Sequence, residues 1–326
     1  MINPSSEHEA LSIFKQYLTV YKRTSYGKLL LLGGIILLGL LGNVAGLFTT
    51  SEPHIAVIQI SGEIGADTDV GDGQKIANHI LDAINNEDSN LIVIEANSPG
   101  GSPTDSQTIN ELIVQYKQWK GPIAPDVSTK MLSVINDPST LFNDSFESDI
   151  DVKTLPRKLI VAVVTKQCAS ACIQAIINAD IIIGQRASLI GNIGVRLDSY
   201  NWAELAKKVG VTNTVITSGK FKDMLNPWKA INEEQILVAK KHLVLPVFEQ
   251  FKADVLEARA DKFKISNSLL FSGLAWTGDE ALRIGLIDAT SNPVIVQSSL
   301  EKIAGNPYKV YSRSSFSLGS IIKNAF

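Results

Sequence analysis

Acyl-transfer chemistry needs a nucleophile, a base to take its proton, and bare N–H groups to hold the oxyanion. This chain offers a candidate for each. One is the loop Asn97-Ser98-Pro99-Gly100-Gly101. Its two glycines, just ahead of a helical stretch, let the backbone turn sharply and aim N–H groups at one spot, where an oxyanion could develop. Proline and glycine also build plain strand-to-helix turns, so the loop alone decides nothing. Another is Lys166-Gln167-Cys168-Ala169-Ser170-Ala171-Cys172, which closes an apolar run. Ser170 stands where a helix should begin, the usual place of an N-cap serine. As a nucleophile it would gain from the helix N-terminal field and from the Ala171 N–H as an oxyanion donor.

The base is harder to find. The histidines are His8, His54, His79 and His242, and none falls in a loop that follows a strand, so a Ser-His-Asp set has little support. A lysine can serve if burial lowers its pKa from about 10.4. Lys222 lies in Ser218-Gly219-Lys220-Phe221-Lys222-Asp223, just after an apolar stretch read as a short strand. A solvated surface charge is the ordinary role of such a residue. Cys168 and Cys172 have neither CxxC nor Cys/His metal spacing. Four residues apart across a strand-to-helix turn, they are expected to pack as small buried apolar groups and not to form a disulfide.

The elements that must position these residues follow a β-α alternation. Ile55–Ser61, Leu91–Ala96, Lys158–Thr165, Ile181–Ile183 and Thr214–Thr217 read as strands. Gln74–Asn85, Thr104–Trp119 and Ser170–Asn178 have helical spacing, and Asn232–Leu256 reads as a long helix broken or kinked near Pro246. Short apolar runs alternating with helices predict an α/β fold with a mainly parallel sheet and helices on its faces. Pro122–Pro156 is polar and proline-interrupted, an insertion ahead of the third strand, and Val310–Phe326 reads as a loose tail. Trp202 and Trp276 are expected in the core.

Leu29–Phe48 carries no charge and is long enough, at roughly 30 Å as a helix, to cross a bilayer. Lys15, Lys22, Arg23 and Lys28 precede it, which predicts an N-terminus in the cytoplasm and everything beyond about residue 50 on the outer side of the inner membrane. A net charge of -3 argues against nucleic acid as a partner.

Taken in order, the chain reads strand–NSPGG–helix, strand–xAS–helix–AD–III, then GNIGV, SGKxKD and WTGDEALRIGLID. This resembles the signal peptide peptidase A group of membrane serine peptidases and the related SohB type. The resemblance covers Ile55 to Asp288 apart from the insertion. It implies a ClpP/crotonase-like fold over residues 55–305, preceded by residues 1–28 in the cytoplasm and a transmembrane helix at 29–48, with the tail from 306 to 326. It further implies Ser170 as nucleophile and Lys222 as general base, whose spacing fits the family's Ser-Lys dyad. Gly100, Gly101 and the Ala171 N–H would form the oxyanion hole, with Asn192 supporting the dyad. Hydrophobic peptides such as remnant signal peptides would be the substrates, the lipid bilayer and a homo-oligomeric ring the partners, and no metal or cofactor is implied. The chain departs from the family in three places: Ala171-Cys172 stands where the family has two glycines, Asn192 where it often has serine, and the insertion at Pro122–Pro156 has no counterpart in typical short members. Two other readings remain open at this stage, a peptide-binding scaffold without peptidase activity and a protease that trims a membrane-protein partner of the stomatin kind.

Overall fold

The computed structural model describes Lys15, Gln16, Thr19 and residues 52–312, apart from 138, 144, 147 and 231. The expected span at Leu29–Phe48 lies outside the described residues. No helix among the described residues is long and apolar enough to cross a membrane.

Eight strands form one sheet: β1 (His54–Ser61), β2 (Ser89–Ser98), β3 (Ile160–Ala169), β4 (Ile181–Gly184), β5 (Leu189–Gly191), β6 (Ala275–Thr277), β7 (Ala289–Thr290) and β8 (Tyr308–Val310). Every pairing is parallel except β5 with β6. The helices are α1 (Gly73–Asn85), α2 (Pro103–Lys120), α3 (Pro125–Asn136), α4 (Ser139–Phe142), α5 (Ala171–Ile176), α6 (Ala203–Lys208), α7 (Glu233–Ala239), α8 (Leu245–Arg259), α9 (Asn267–Leu270), α10 (Gly278–Arg283) and α11 (Pro293–Ala304). The long strands are apolar on both faces because helices cover both. On one face Ala56, Ile58, Ile60, Ile92 and Ile94 pack beneath α1, α2, α5 and α8. On the other, Ile55, Val57, Leu91 and Val93 meet Met131 and Ile135 of α3 and Val296 and Leu300 of α11.

Local signals set the helix ends. Asp72 accepts from the Lys75 N–H at 2.9 Å to cap α1. Ser102 caps α2, with Pro103 at its first position and Gly121, at φ 87°, closing it. The broken helix expected over 232–256 is α7 and α8 joined by a π-helical turn, Lys240–Val244, just ahead of Pro246. A proline supplies no N–H and crowds the preceding turn, so the helix widens there.

β3 is the pivot of the sheet. Val161–Val164 pair with β4, and after an irregularity Gln167–Ala169 pair with β5. The strand therefore runs four residues past the expected Thr165 and carries the chain directly into Ser170.

Several expectations are corrected. Thr214–Thr217 joins no ladder, and Ile216 is 94% exposed, because no strand among the described residues lies alongside it. Tyr308–Val310, within the supposed tail at 306–326, pairs with β1. The insertion holds three short helical pieces, α3, α4 and Val152–Thr154, and Met131 and Ile135 of α3 with Ile150 and Val152 roof the second sheet face. Trp276 is buried as expected, but Trp202 is 46% exposed. Cys168 and Cys172 are joined in a disulfide with a Cα–Cα distance of 5.1 Å. The sharp turn at Ser170 folds the helix start back over the strand end, and that brings the two Cβ atoms within bridging range.

Candidate active site

Ser170 follows β3 and precedes α5, at the carboxyl edge where parallel sheets place their ligands. Its backbone sits at φ 52°, ψ -122°, and its side chain makes no capping hydrogen bond to the helix. The N-cap role is thereby excluded. Among the described residues Ser170, Asn192 and Leu225 are the non-glycines with positive φ. An L-residue holds such a conformation only where its surroundings impose it, and such strain concentrates at functional sites. Here the Ser170 N–H donates to Gly191 O at 2.8 Å, and the Ile173 N–H donates to Ser170 O at 2.9 Å. The hydroxyl is left half-buried, with only a long contact of 3.5 Å to Gly194 O.

The glycine loop lies directly against this turn. A Cβ at Gly100 would stand 2.7 Å from Ala169 O, 2.8 Å from Ser170 Cβ and 3.2 Å from Ala171 N. Only glycine permits that approach. The Gly100 N–H donates to Ser98 Oγ at 3.1 Å. Among the described residues, the Gly101 and Ala171 N–H groups donate to no acceptor, as an oxyanion hole requires. Asn192 is exposed beside them; its backbone N–H donates to Leu274 O at 2.6 Å and its Nδ2 to Gly273 O at 2.8 Å, which leaves Oδ1 free. Gly191 is fixed by Trp276, whose ring a Cβ there would meet at 2.5 Å.

Gly100, Gly101, Ser170, Ala171 and Asn192 line a groove of about 960 Å³. One wall is apolar, with Val244, Leu245, Val247, Phe248, Phe251 and Phe271, and Glu63, Arg196 and Asp198 also border it. The spacing of residues gave no hint of this wall, although the unbroken run Leu243-Val244-Leu245-Pro246-Val247-Phe248 was the available signal, because it is apolar on every side of its helix. Gln174 also lines the groove, one turn after Ser170. Its Oε1 accepts from Ser106 at 2.8 Å, and its Nε2 donates to Asp254 at 2.7 Å. Burial, aided by the charges of Glu111 and Glu257, raises the Asp254 carboxyl above its ordinary value.

Ser170, Ala171, Gly100, Gly101 and Asn192 thus converge on one groove. Lys222 does not line it. It is exposed in the turn at 221–225, and its Nζ makes no hydrogen bond among the described residues. No cluster of metal-ligating side chains occurs among the described residues.

Residues 156–305 match peptidase family S49. That stretch holds Ser170, Ala171, Asn192 and Lys222 but not the Gly100–Gly101 loop. A Brucella abortus protein named Na(+)/H(+) antiporter NhaA is 30% identical over 219 residues, 67% of this chain and 24% of its own. A Methanocaldococcus jannaschii protein with a provisional protease name is 28% identical over 176 residues, 53% of this chain and 56% of its own. The chloroplastic serine protease SPPA of Arabidopsis thaliana is 27% identical over 157 residues, 45% of this chain and 22% of its own. The chain spans about a quarter of the length of the first curated relatives it matches, and the antiporter name belongs to that whole protein.

Proposed function

We propose, for a chain that carries a serine peptidase domain of family S49 and of the signal peptide peptidase A type, that it is a membrane-anchored endopeptidase cutting hydrophobic peptides such as remnant signal peptides. The observation that carries this reading is Ser170, held at positive φ beside two free N–H groups on the floor of an apolar groove.

In the proposed reaction Ser170 Oγ attacks the peptide carbonyl carbon while its proton passes to the neutral amine of Lys222. The oxyanion accepts from the Gly101 and Ala171 N–H groups, with Gly100 shaping the loop that presents them. Collapse expels the amine, which takes the proton from Lys222, and a water activated by the same lysine releases the acyl group.

A lysine base must shed its proton near neutral pH, and burial is what lowers its pKa. The exposure of Lys222 outside the groove supports a dyad completed by a second copy of the chain. The segment from Leu197 to Leu245 exposes Tyr200, Trp202, Ile216, Trp228 and Leu237, apolar surface suited to contact between copies in a ring. The uncharged run Leu29–Phe48 would anchor the chain in the inner membrane, with the groove on the outer side.

The test is labelling of the full chain with a fluorophosphonate at pH 7 to 10, comparing wild type, Ser170→Ala and Lys222→Ala. Labelling that requires both residues and increases with pH is expected. Labelling that persists in Ser170→Ala would refute the nucleophile. A folded wild type that is never labelled would turn the reading to a peptide-binding scaffold.

A further inference from the structure

Cys168 and Cys172 bracket Ser170, two residues to either side. We propose that their disulfide is a positioning device for the nucleophile, and that the peptidase works only while the bridge stands. The inference rests on Ser170 being the nucleophile.

The strand end of the bridge is clamped. Cys168 pairs with Ser98 of β2 on one side and with Ile190 of β5 on the other. The helix end has no such ladder: α5 is held by the burial of its residues and by Gln174, bonded to Ser106 and Asp254. α5 has six residues and starts without a side-chain cap. Between them Ser170 occupies a conformation that it would leave if its neighbours allowed. Its backbone is held directly by its N–H donating to Gly191 O and by its carbonyl accepting from the Ile173 and, at 3.4 Å, the Gln174 N–H. The disulfide closes a ring around the turn and ties the first turn of α5 to the clamped strand.

The same anchor reaches the oxyanion loop. Ser98, the strand partner of Cys168, accepts the Gly100 N–H through its hydroxyl. The bridge therefore fixes the donor at Ala171, the nucleophile at Ser170 and the loop before Gly101 in a single frame. A shift of about 1 Å among such groups costs on the order of 10²-fold in rate.

Reduction by a dithiol breaks the Cys168–Cys172 bond. Two electrons and two protons pass to the two sulfurs, and the reductant leaves as its own disulfide. Both cysteines are fully buried, so attack waits on local opening and the switch is slow.

The test uses full-length protein, a fluorogenic apolar peptide and the fluorophosphonate. Four samples are compared: oxidised wild type, wild type reduced with dithiothreitol, the same sample reoxidised, and Cys168→Ala/Cys172→Ala. Reduced protein and double variant should remain folded by circular dichroism, lose on the order of tenfold or more in kcat and labelling rate, and keep KM within about twofold. Reoxidation should restore the wild type and leave the variant unchanged. Equal labelling with and without the bridge would overturn the inference, because a merely structural bridge lowers thermal stability alone. So would mass spectrometry that finds both thiols free in fully active protein. Should the double variant fail to fold, the reduction and reoxidation arms decide the matter. If oxidised wild type shows no labelling at Ser170, the proposed function fails and takes this inference with it, whereas equal labelling sinks only the inference.

Discussion

A methyl group added at Gly100 would collide with the backbone oxygen of Ala169 and the Cβ of Ser170, in a residue whose φ is 104°. Gly100→Ala should therefore lower kcat by roughly 10²-fold by moving the nucleophile and its oxyanion donors apart, with little change in KM. Steady-state kinetics on protein shown to be folded would check it, and an unchanged kcat would remove this loop from the site. The apolar wall acts differently. Phe248 meets Phe271 edge-on, with ring centroids 6.4 Å apart, beside the groove. Truncating Phe248 to alanine removes binding surface shared by ground and transition states, so KM for apolar peptides should rise several-fold while kcat holds. At this scale the sequence showed the polar and glycine residues, since they interrupt apolar runs at the strand ends where a parallel sheet places its ligands. It hid the wall, because apolar side chains in a helix look alike whether they face a core or a substrate. It also hid the disulfide, because the geometry that permits it depends on the positive φ of Ser170, which no residue pattern records.

The strands and helices flanking the site follow the sequence closely: β1, β2, α1 and α2 begin and end within one to two residues of where apolar runs and caps place them. Buried parallel strands are continuous apolar runs, and caps such as Asp72 and Ser102 mark helix starts without tertiary help. The failures share a cause. Thr214–Thr217 has the composition of a strand but no strand neighbour among the described residues, and β8 is a strand only because β1 offers an edge. Pairing is a tertiary fact that propensity does not contain. The insertion proves structural for the same reason. Its Met131 and Ile135 are buried against the sheet face opposite the groove. Met131→Ala should cost about 2–5 kcal/mol in denaturant unfolding while leaving the labelling rate of folded protein unchanged. A changed labelling rate would mean that this roof reaches the site after all.

Over the whole molecule, two buried arginine–aspartate pairs set the acid limit. Arg157 donates twice to Asp180, at 2.7 and 2.6 Å, and Asp180 also accepts the Ile160 N–H at the start of β3. Arg259 and Asp288 repeat the arrangement, with Asp288 accepting the Ile182 N–H of β4. Burial alone would raise both carboxyls, but the arginine hydrogen bonds, with charges from Lys117 and Lys262, pull them below their ordinary value. Their stabilisation is therefore complete above the unfolded carboxylate pKa of about 3.9 and is lost as pH falls through the lower folded values. Unfolding monitored from pH 6 to 2 should steepen below pH ~4, and Asp180→Asn should flatten that limb while destabilising the protein at pH 7 by about 3–5 kcal/mol. The exposed apolar residues between Leu197 and Leu245 give a test of the proposed ring. Trp228→Glu should shift sedimentation toward smaller species and reduce labelling, whereas unchanged sedimentation would argue against contact through this face.

The two ends of the sheet unit meet in β1 and β8, which run parallel with Ile55 beside Tyr308 and Val57 beside Val310, while the Gln59 N–H donates to Ser312 Oγ at 3.0 Å. The chain enters at the foot of one strand and leaves at the head of the other. Tension applied between those two points draws the strands past each other lengthwise, so every bond of the ladder carries load together and none peels away in turn. Under a steady pull between those two points, the lifetime of the fold would follow the rate of shearing that one short ladder.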